Sequence, residues 1–199
     1  MKKMNNIITI ILMIKYIILL LCMSKAFSFK KILFKTNIIT PNIYSISNPN
    51  TVEHIFPKSL MKYNNNDLHN LFICNNKINN LRSNYKYVDE NDIKFDNTWI
   101  KLENNNYVNQ YKSLFIPNNY SKGIIARAIM YMAYTYKYNY KKIINTDNLL
   151  EWCIRYPPTK EEYNHNNLVF IYQKRRNHFI DLYYKKNYKN IIINIFYTY

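Results

Sequence analysis

The sequence predicts an α+β chain, with strands in its first half and helices in its second. Short β-branched and aromatic runs, set off by polar turns, occupy the stretch before residue 118. After it, apolar residues recur at helical spacing, and helix-start signals stand where those patterns begin. At 199 residues the chain is long enough for one compact domain and hardly for two.

Taken in order, residues 1–28 read as a leader. Lys2 and Lys3 precede a largely apolar run from Ile7 to Cys22, and "SKA" at 24–26 supplies small residues for a cleavage site, the pattern of a secretory signal peptide. Lys15 interrupts the run and counts against a stable span of the ~20 apolar residues a bilayer needs. An uncleaved membrane anchor stays open as the alternative. So does a two-part address, completed by "FSFKKILFKTN", to an organelle reached through the secretory route. Residues 29–49 form a basic, irregular lead-in that ends in the turn-forming "SNPNT".

"TVEHIF" at 51–56 predicts a strand, "KYNNND" a polar loop, and "LHNLFIC" at 68–74 a second strand. In "NNKINNLRSNYKY" the spacing of Ile78, Leu81 and Tyr85 permits a short helix despite the poor helix propensity of Asn. Residues 88–118 are mixed, with short strands expected around Phe95–Leu102 and a loop closing at Pro117. A helix is expected over Ser121–Tyr136, capped by Ser121, with Ile125, Ala128, Ile129, Met132 and Tyr136 on one face. "NTDNLLEWCIRYPP" predicts another, capped near Thr146 or Asp147 and stopped by Pro157-Pro158. Thr159-x-x-Glu162 is a capping box that opens a third helix through "YNHNNLVFIYQKRRN". The tail after Asp181 is basic and aromatic, and partial disorder is expected there.

Composition bounds the partners. The chain has one glycine and 21 tyrosines, a skew with the look of AT-rich coding, which lowers the information in any Asn, Lys or Tyr. Twenty-eight basic residues face twelve acidic ones, and the excess persists outside the leader. Such a balance suits a polyanionic partner, either nucleic acid or an anionic membrane surface. With Cys22 in the leader, Cys74 and Cys153 remain; two thiols are no disulfide framework, and there is no zinc-type Cys/His pattern.

The chemistry-bearing residues cluster in three successive pieces: Glu53-His54, "DLHNL" at 67–71, and "INNLRSNY" at 78–85. A strand, loop, strand and short helix would carry a Glu, a His and an Asn into one small volume. Neutral imidazole, with a reference pKa near ~6.5, suits a general base that takes a proton from water. A hard cation such as Mg²⁺ prefers oxygen ligands and keeps several waters, so one carboxylate and one amide oxygen suffice. His69, Asn70 and Asp67 read as scaffold residues that orient the strands.

Five blocks, "VEHIFPKS", "DLHNL", "NxxRSNY", "KGIIARAIMYM" and "QKRRNHFID", resemble in order those of the endonuclease I family of secreted, nonspecific nucleases. The resemblance spans residues 50–182, leaving 183–199 as a tail. It implies a ββα-metal (His-Me finger) core with an additional, mostly helical C-terminal half. It further implies His54 as general base, Glu53 and Asn79 as ligands of Mg²⁺ or another divalent cation, and cleavage of DNA, and often of RNA, that leaves 5′-phosphate ends. Nucleic-acid contacts are expected from Lys58, Lys62 and Arg82; Arg175 and Arg176 would either touch phosphate or form a solvated helix end, and Arg127 would either touch phosphate or pair with an internal carboxylate. No protein partner is implied, and the chain is read as a monomer. Two positions depart from the family pattern. Residues 55–66 hold no arginine where relatives commonly carry one for the cleaved phosphate, and Asn80-Leu81 replaces the usual Gly-Asp. A second reading, a nucleic-acid-binding protein that kept the fold and lost turnover, rests on the missing arginine. A third, a membrane-anchored structural protein, requires an uncleaved leader.

Overall fold

The computed structural model describes residues 41–45, 49–63 and 66–197. The leader, most of the basic lead-in and the signal-peptide expectation lie outside the described residues. Among the described residues the chain is mixed α+β, with two small sheets and six helices. No described helix is long and apolar enough to cross a membrane.

The first sheet has three strands. β1 (Asn42–Ile43) runs parallel to β3 (Leu71–Cys74), and β2 (Thr51–His54) runs antiparallel to β3, with Glu53 opposite Phe72 and His54 opposite Leu71. β1 lies inside the stretch expected to be irregular. Two residues are too few to show a period, and the strand exists because β3 offers it an edge. Helix α1 (Asn76–Arg82) follows β3 almost at once; Asn75 caps it by accepting from the Lys77 backbone N–H. Strand, strand and helix thus succeed one another as the residue pattern indicated.

The second sheet has the order β4-β7-β6-β5, formed by Lys86–Tyr87, Leu114–Ile116, Tyr107–Asn109 and Ile100–Lys101. Of the strands expected around Phe95–Leu102, only Ile100–Lys101 forms. The better-paired hairpin of β6 and β7 falls beyond that range, in the stretch read as mixed, where Val108 and Phe115 face each other, both fully buried.

Helix α2 (Asn119–Tyr136) is the centre of the molecule. Its cap is Asn118, whose side chain accepts from the Ser121 N–H. Ser121 instead lies buried inside the helix, where its Oγ accepts from the Tyr44 N–H. Every residue from Ser121 to Ala133 is buried, so the helix is enclosed on all sides and not only on the expected apolar face. That enclosure takes in two cations. Lys122 pairs with Asp89 at 2.9 Å beside the Trp152 ring, and Arg127 pairs with Glu162 at 2.7 Å. Burial raises the Asp89 carboxyl, but hydrogen bonds from Lys122, Asn91 and Trp152 outweigh it and hold the group low.

Around α2 pack α3 (Thr146–Arg155), capped by Asn145, and α4 (Lys160–Gln173), capped as expected by Thr159 accepting from the Glu162 N–H. A four-residue helix, α5 (His178–Asp181), follows. The tail then forms α6 (Tyr188–Tyr197), which buries Tyr188 and Ile192 against the main core. The expected tail disorder is corrected over these residues: the Tyr188 hydroxyl lies 3.0 Å from the Cys153 thiol and donates to the Phe179 carbonyl. Cys74 and Cys153 are both buried free thiols.

Candidate active site

β2 brings Glu53 and His54 to the edge of an open pocket of about 350 Å³. Alternation along the strand gives the two different environments: Glu53 is buried, while His54 is half-buried. α1 delivers Asn79 to the same pocket, and the turn after β2 adds Lys58, which is exposed. The loop after β2 is held by Asn70, whose amide bridges both backbone groups of Phe56, accepting at 2.6 Å and donating at 3.0 Å. This fixes the chain direction just past His54.

Beneath the pocket lies a closed polar network. Arg82, at the end of α1, sends Nη1 to Glu53 Oε1 at 2.9 Å and to the carbonyls of His54 and Ser83, and Nη2 to the Ile55 carbonyl at 2.7 Å. Its guanidinium also sits 4.5 Å from the centre of the Tyr87 ring. Tyr44 donates to Glu53 Oε1 at 3.2 Å and lies 2.6 Å from the Tyr87 hydroxyl. A phenol has one proton, so Tyr87 donates to Tyr44 as Tyr44 donates to Glu53. Burial pushes the Glu53 carboxyl up to about 7, with Arg82, Tyr44 and the His54 backbone pulling it back. A guanidinium stays charged in proteins, so the carboxylate is the member of this pair whose charge responds to its surroundings.

The expected scaffold residues hold the start of β3, just ahead of Leu71. Asp67 accepts from the Tyr131 hydroxyl at 3.2 Å, from Gln173 at 2.8 Å and from Tyr136. His69 is buried, with Nε2 3.0 Å from the Arg175 carbonyl. Neither residue lines the pocket.

A family model described as Endonuclease I matches residues 33–183. The chain belongs to the endonuclease I family. The match covers most of this endonuclease I member and takes in β1 and Tyr44, ahead of the blocks quoted from the sequence. A search of the curated proteins finds no match.

Within this endonuclease I member, the residues expected to do the chemistry divide in two. Glu53, His54, Asn79, Lys58 and Arg82 come together at one pocket. Lys62 is exposed but does not line it. One expected nucleic-acid contact is corrected: Arg82, 1 % exposed, is turned inward onto Glu53. Arg127, also 1 % exposed, takes the second of its two readings and pairs with the internal carboxylate of Glu162. A buried guanidinium needs a carboxylate partner, and both found one inside the fold. Arg176 is half-buried and paired with Asp181 at 2.7 Å, whereas Arg175 is exposed. Tyr44 and Tyr87 went unnoticed in the sequence. Among so many tyrosines neither carries a local signal; Tyr44 meets Glu53, and Tyr87 meets Tyr44 and Arg82, only through the tertiary fold.

Proposed function

We propose that this chain is a metal-dependent endonuclease that hydrolyses phosphodiester bonds in DNA, and in RNA, with little sequence preference. The observation that carries the proposal is the convergence of Glu53, His54 and Asn79 on one open pocket with Lys58 at its rim. Strand β2, strand β3 and helix α1 are read as the ββα-metal unit of the family.

The donors suit a hard divalent cation such as Mg²⁺. Glu53 offers a carboxylate and Asn79 an amide oxygen, and the described residues hold no cluster of three or more His, Cys, Asp or Glu groups. A cation held by so few protein ligands keeps several waters. When bound, it supplies positive charge to the phosphate oxygens and to the departing oxygen. The buried Glu53 carboxylate, raised in pKa by desolvation, is the group an added positive charge would hold ionised. His54, in its neutral form, takes the proton from the attacking water as general base. Arg82 and Tyr44 orient Glu53 and do not touch substrate. Lys58 meets the scissile phosphate as a point charge, without the two-pronged grip of an arginine.

The test is cleavage of supercoiled plasmid and of single-stranded RNA with Mg²⁺, with EDTA, and by His54→Ala. Both substrates are expected to be cut, with cleavage abolished by chelation and reduced roughly 10²–10⁴-fold by His54→Ala. Folded protein that binds both polymers and cuts neither would select the second reading, a nucleic-acid-binding protein without turnover. One observation favours that reading: the pocket's guanidinium, Arg82, is committed to Glu53 and three backbone carbonyls, and residues 55–66 hold no arginine.

A further inference from the structure

A second groove, about 730 Å³ and larger than the active-site pocket, opens between the C-terminal halves of α2 and α4 and the segment leading into α5. Its lining includes Tyr134, Lys137, Phe170, Lys174, Arg175 and Arg176, and no carboxylate. The aromatic rings are open to solvent, with Tyr134 and Phe170 each 43 % exposed. Each stands beside a cation: the Lys137 ammonium is 5.1 Å from the Tyr134 ring centre, and the Arg176 guanidinium 5.8 Å from that of Phe170.

The groove is linked to the active-site pocket. Lys58 and Ser59 line the pocket, and five residues further on Tyr63 hydrogen-bonds the Tyr136 carbonyl and stacks edge-on with the Tyr136 ring. The Tyr136 hydroxyl in turn accepts from Arg175 at 3.3 Å. Five residues reach at most ~17 Å, and Lys62 stands exposed on that stretch, so Lys58, Lys62 and Arg175 place cations along the connection from one concavity to the other.

We infer that this groove binds single-stranded nucleic acid and holds the strand whose scissile phosphate lies at His54. The inference rests on the endonuclease reading for its polymer and goes beyond it in assigning a second binding site and a strandedness. Charge selects a polyanion, because the ionic lining groups are cations, with Arg176 offset in part by its partner Asp181. The exposed rings select unpaired bases, since a duplex hides its base faces in the stack and a single strand offers them for stacking. Rings flanked by cations provide both contacts within one nucleotide's reach.

The experiment measures binding of fluorescent oligo-dT and of a mixed-sequence duplex to the full chain in EDTA, so that no cleavage intrudes. Binding is followed by anisotropy at several salt concentrations, and thermal melts establish that each variant is folded. Lys137→Gln/Lys174→Gln is expected to weaken oligo-dT binding at least tenfold and to flatten the log–log salt slope by about 1.4, the share of two released counterions on a single strand. Tyr134→Ala/Phe170→Ala is expected to weaken oligo-dT binding by ~5-fold or more and the duplex less. Wild-type affinity in both folded variants would overturn the groove as a site, and equal losses on oligo-dT and duplex would overturn its strandedness. A second copy seated on the groove, seen as a dimer by light scattering and lost in the aromatic variant, would also overturn it. Failure of the endonuclease reading is recognisable separately: wild type would bind oligo-dT through the groove and leave it uncut when Mg²⁺ is restored.

Discussion

At the scale of single residues, the site depends on how one buried carboxylate is partnered. Glu53 lies beneath the pocket with Arg82 on one side and the Tyr87–Tyr44 relay on the other. Removing one member of a buried pair leaves the other charge stranded at a cost of about 3–5 kcal/mol. Arg82→Met is therefore expected to lose stability of that order in urea unfolding, as well as activity. Arg82→Lys should recover little, because one ammonium cannot reach Glu53 and the carbonyls of His54, Ser83 and Ile55 together. A variant that keeps full stability and loses only nucleic-acid affinity would return Arg82 to the role of phosphate contact.

At the scale of elements, α2 determines where the other helices sit. Gly123, the chain's one glycine, lies in its first turns. A Cβ there would meet the Tyr156 carbonyl oxygen at 2.5 Å, and Arg127 Nη2 and Tyr156 Cβ each at 2.8 Å. In an open helix Gly→Ala gains about 1 kcal/mol in propensity. Here two opposing atoms belong to Tyr156, just beyond α3, and one of them is backbone. The third is a guanidinium already committed to Glu162. Overpacking of this kind costs about 1–3 kcal/mol, so Gly123→Ala is expected to destabilise despite the better helix former. A melting temperature at or above wild type would show that α3 moves away from α2 without penalty.

At the scale of the whole molecule, two buried histidines, His165 on α4 and His69 just ahead of β3, set how the fold responds to acid. His165 donates to the Leu68 carbonyl and stacks on Phe72; burial lowers its pKa to about 3, with His69 adding to the effect and the Leu68 carbonyl opposing it. Burial also lowers the pKa of His69. A histidine depressed in the folded state contributes stability that is present above its unfolded pKa near 6.5. That contribution is lost as pH falls toward the folded value, at about 1.4 kcal/mol per pH unit for one residue. Glu53 acts in the opposite sense: its raised carboxyl contributes stability present below about 4.5 and lost as pH rises through about 7. The useful quantity is thus the difference between wild type and His165→Gln, in which Glu53 cancels and the donor to Leu68 is kept. From pH 6.5 to 5 that difference should shrink by about 2 kcal/mol. A difference that stays constant across this window would mean His165 is protonated within the fold.

What the sequence determined by itself is local in origin. The β-branched and aromatic residues of "TVEHIF", the spacing in "NNKINNLRSNY", the Thr159–Glu162 box and the Pro157-Pro158 stop each act within a few residues, and the corresponding strand, helices and helix end formed. The placement of Glu53, His54 and Asn79 was legible for the same reason: a strand, a strand and a helix in close succession leave few ways to arrange three side chains. Only the tertiary structure decided which cations face solvent and which are buried. Arg82, Lys122, Arg127 and Arg175 look alike in sequence. Three of them found Glu53, Asp89 and Glu162 inside the core, and the fourth remained at the surface beside an aromatic groove. Tyr44 joined the site, and the tail became a helix, through contacts with residues distant in the chain. A polar side chain is buried or exposed according to the partners the fold brings to it, and no spacing along the chain encodes that.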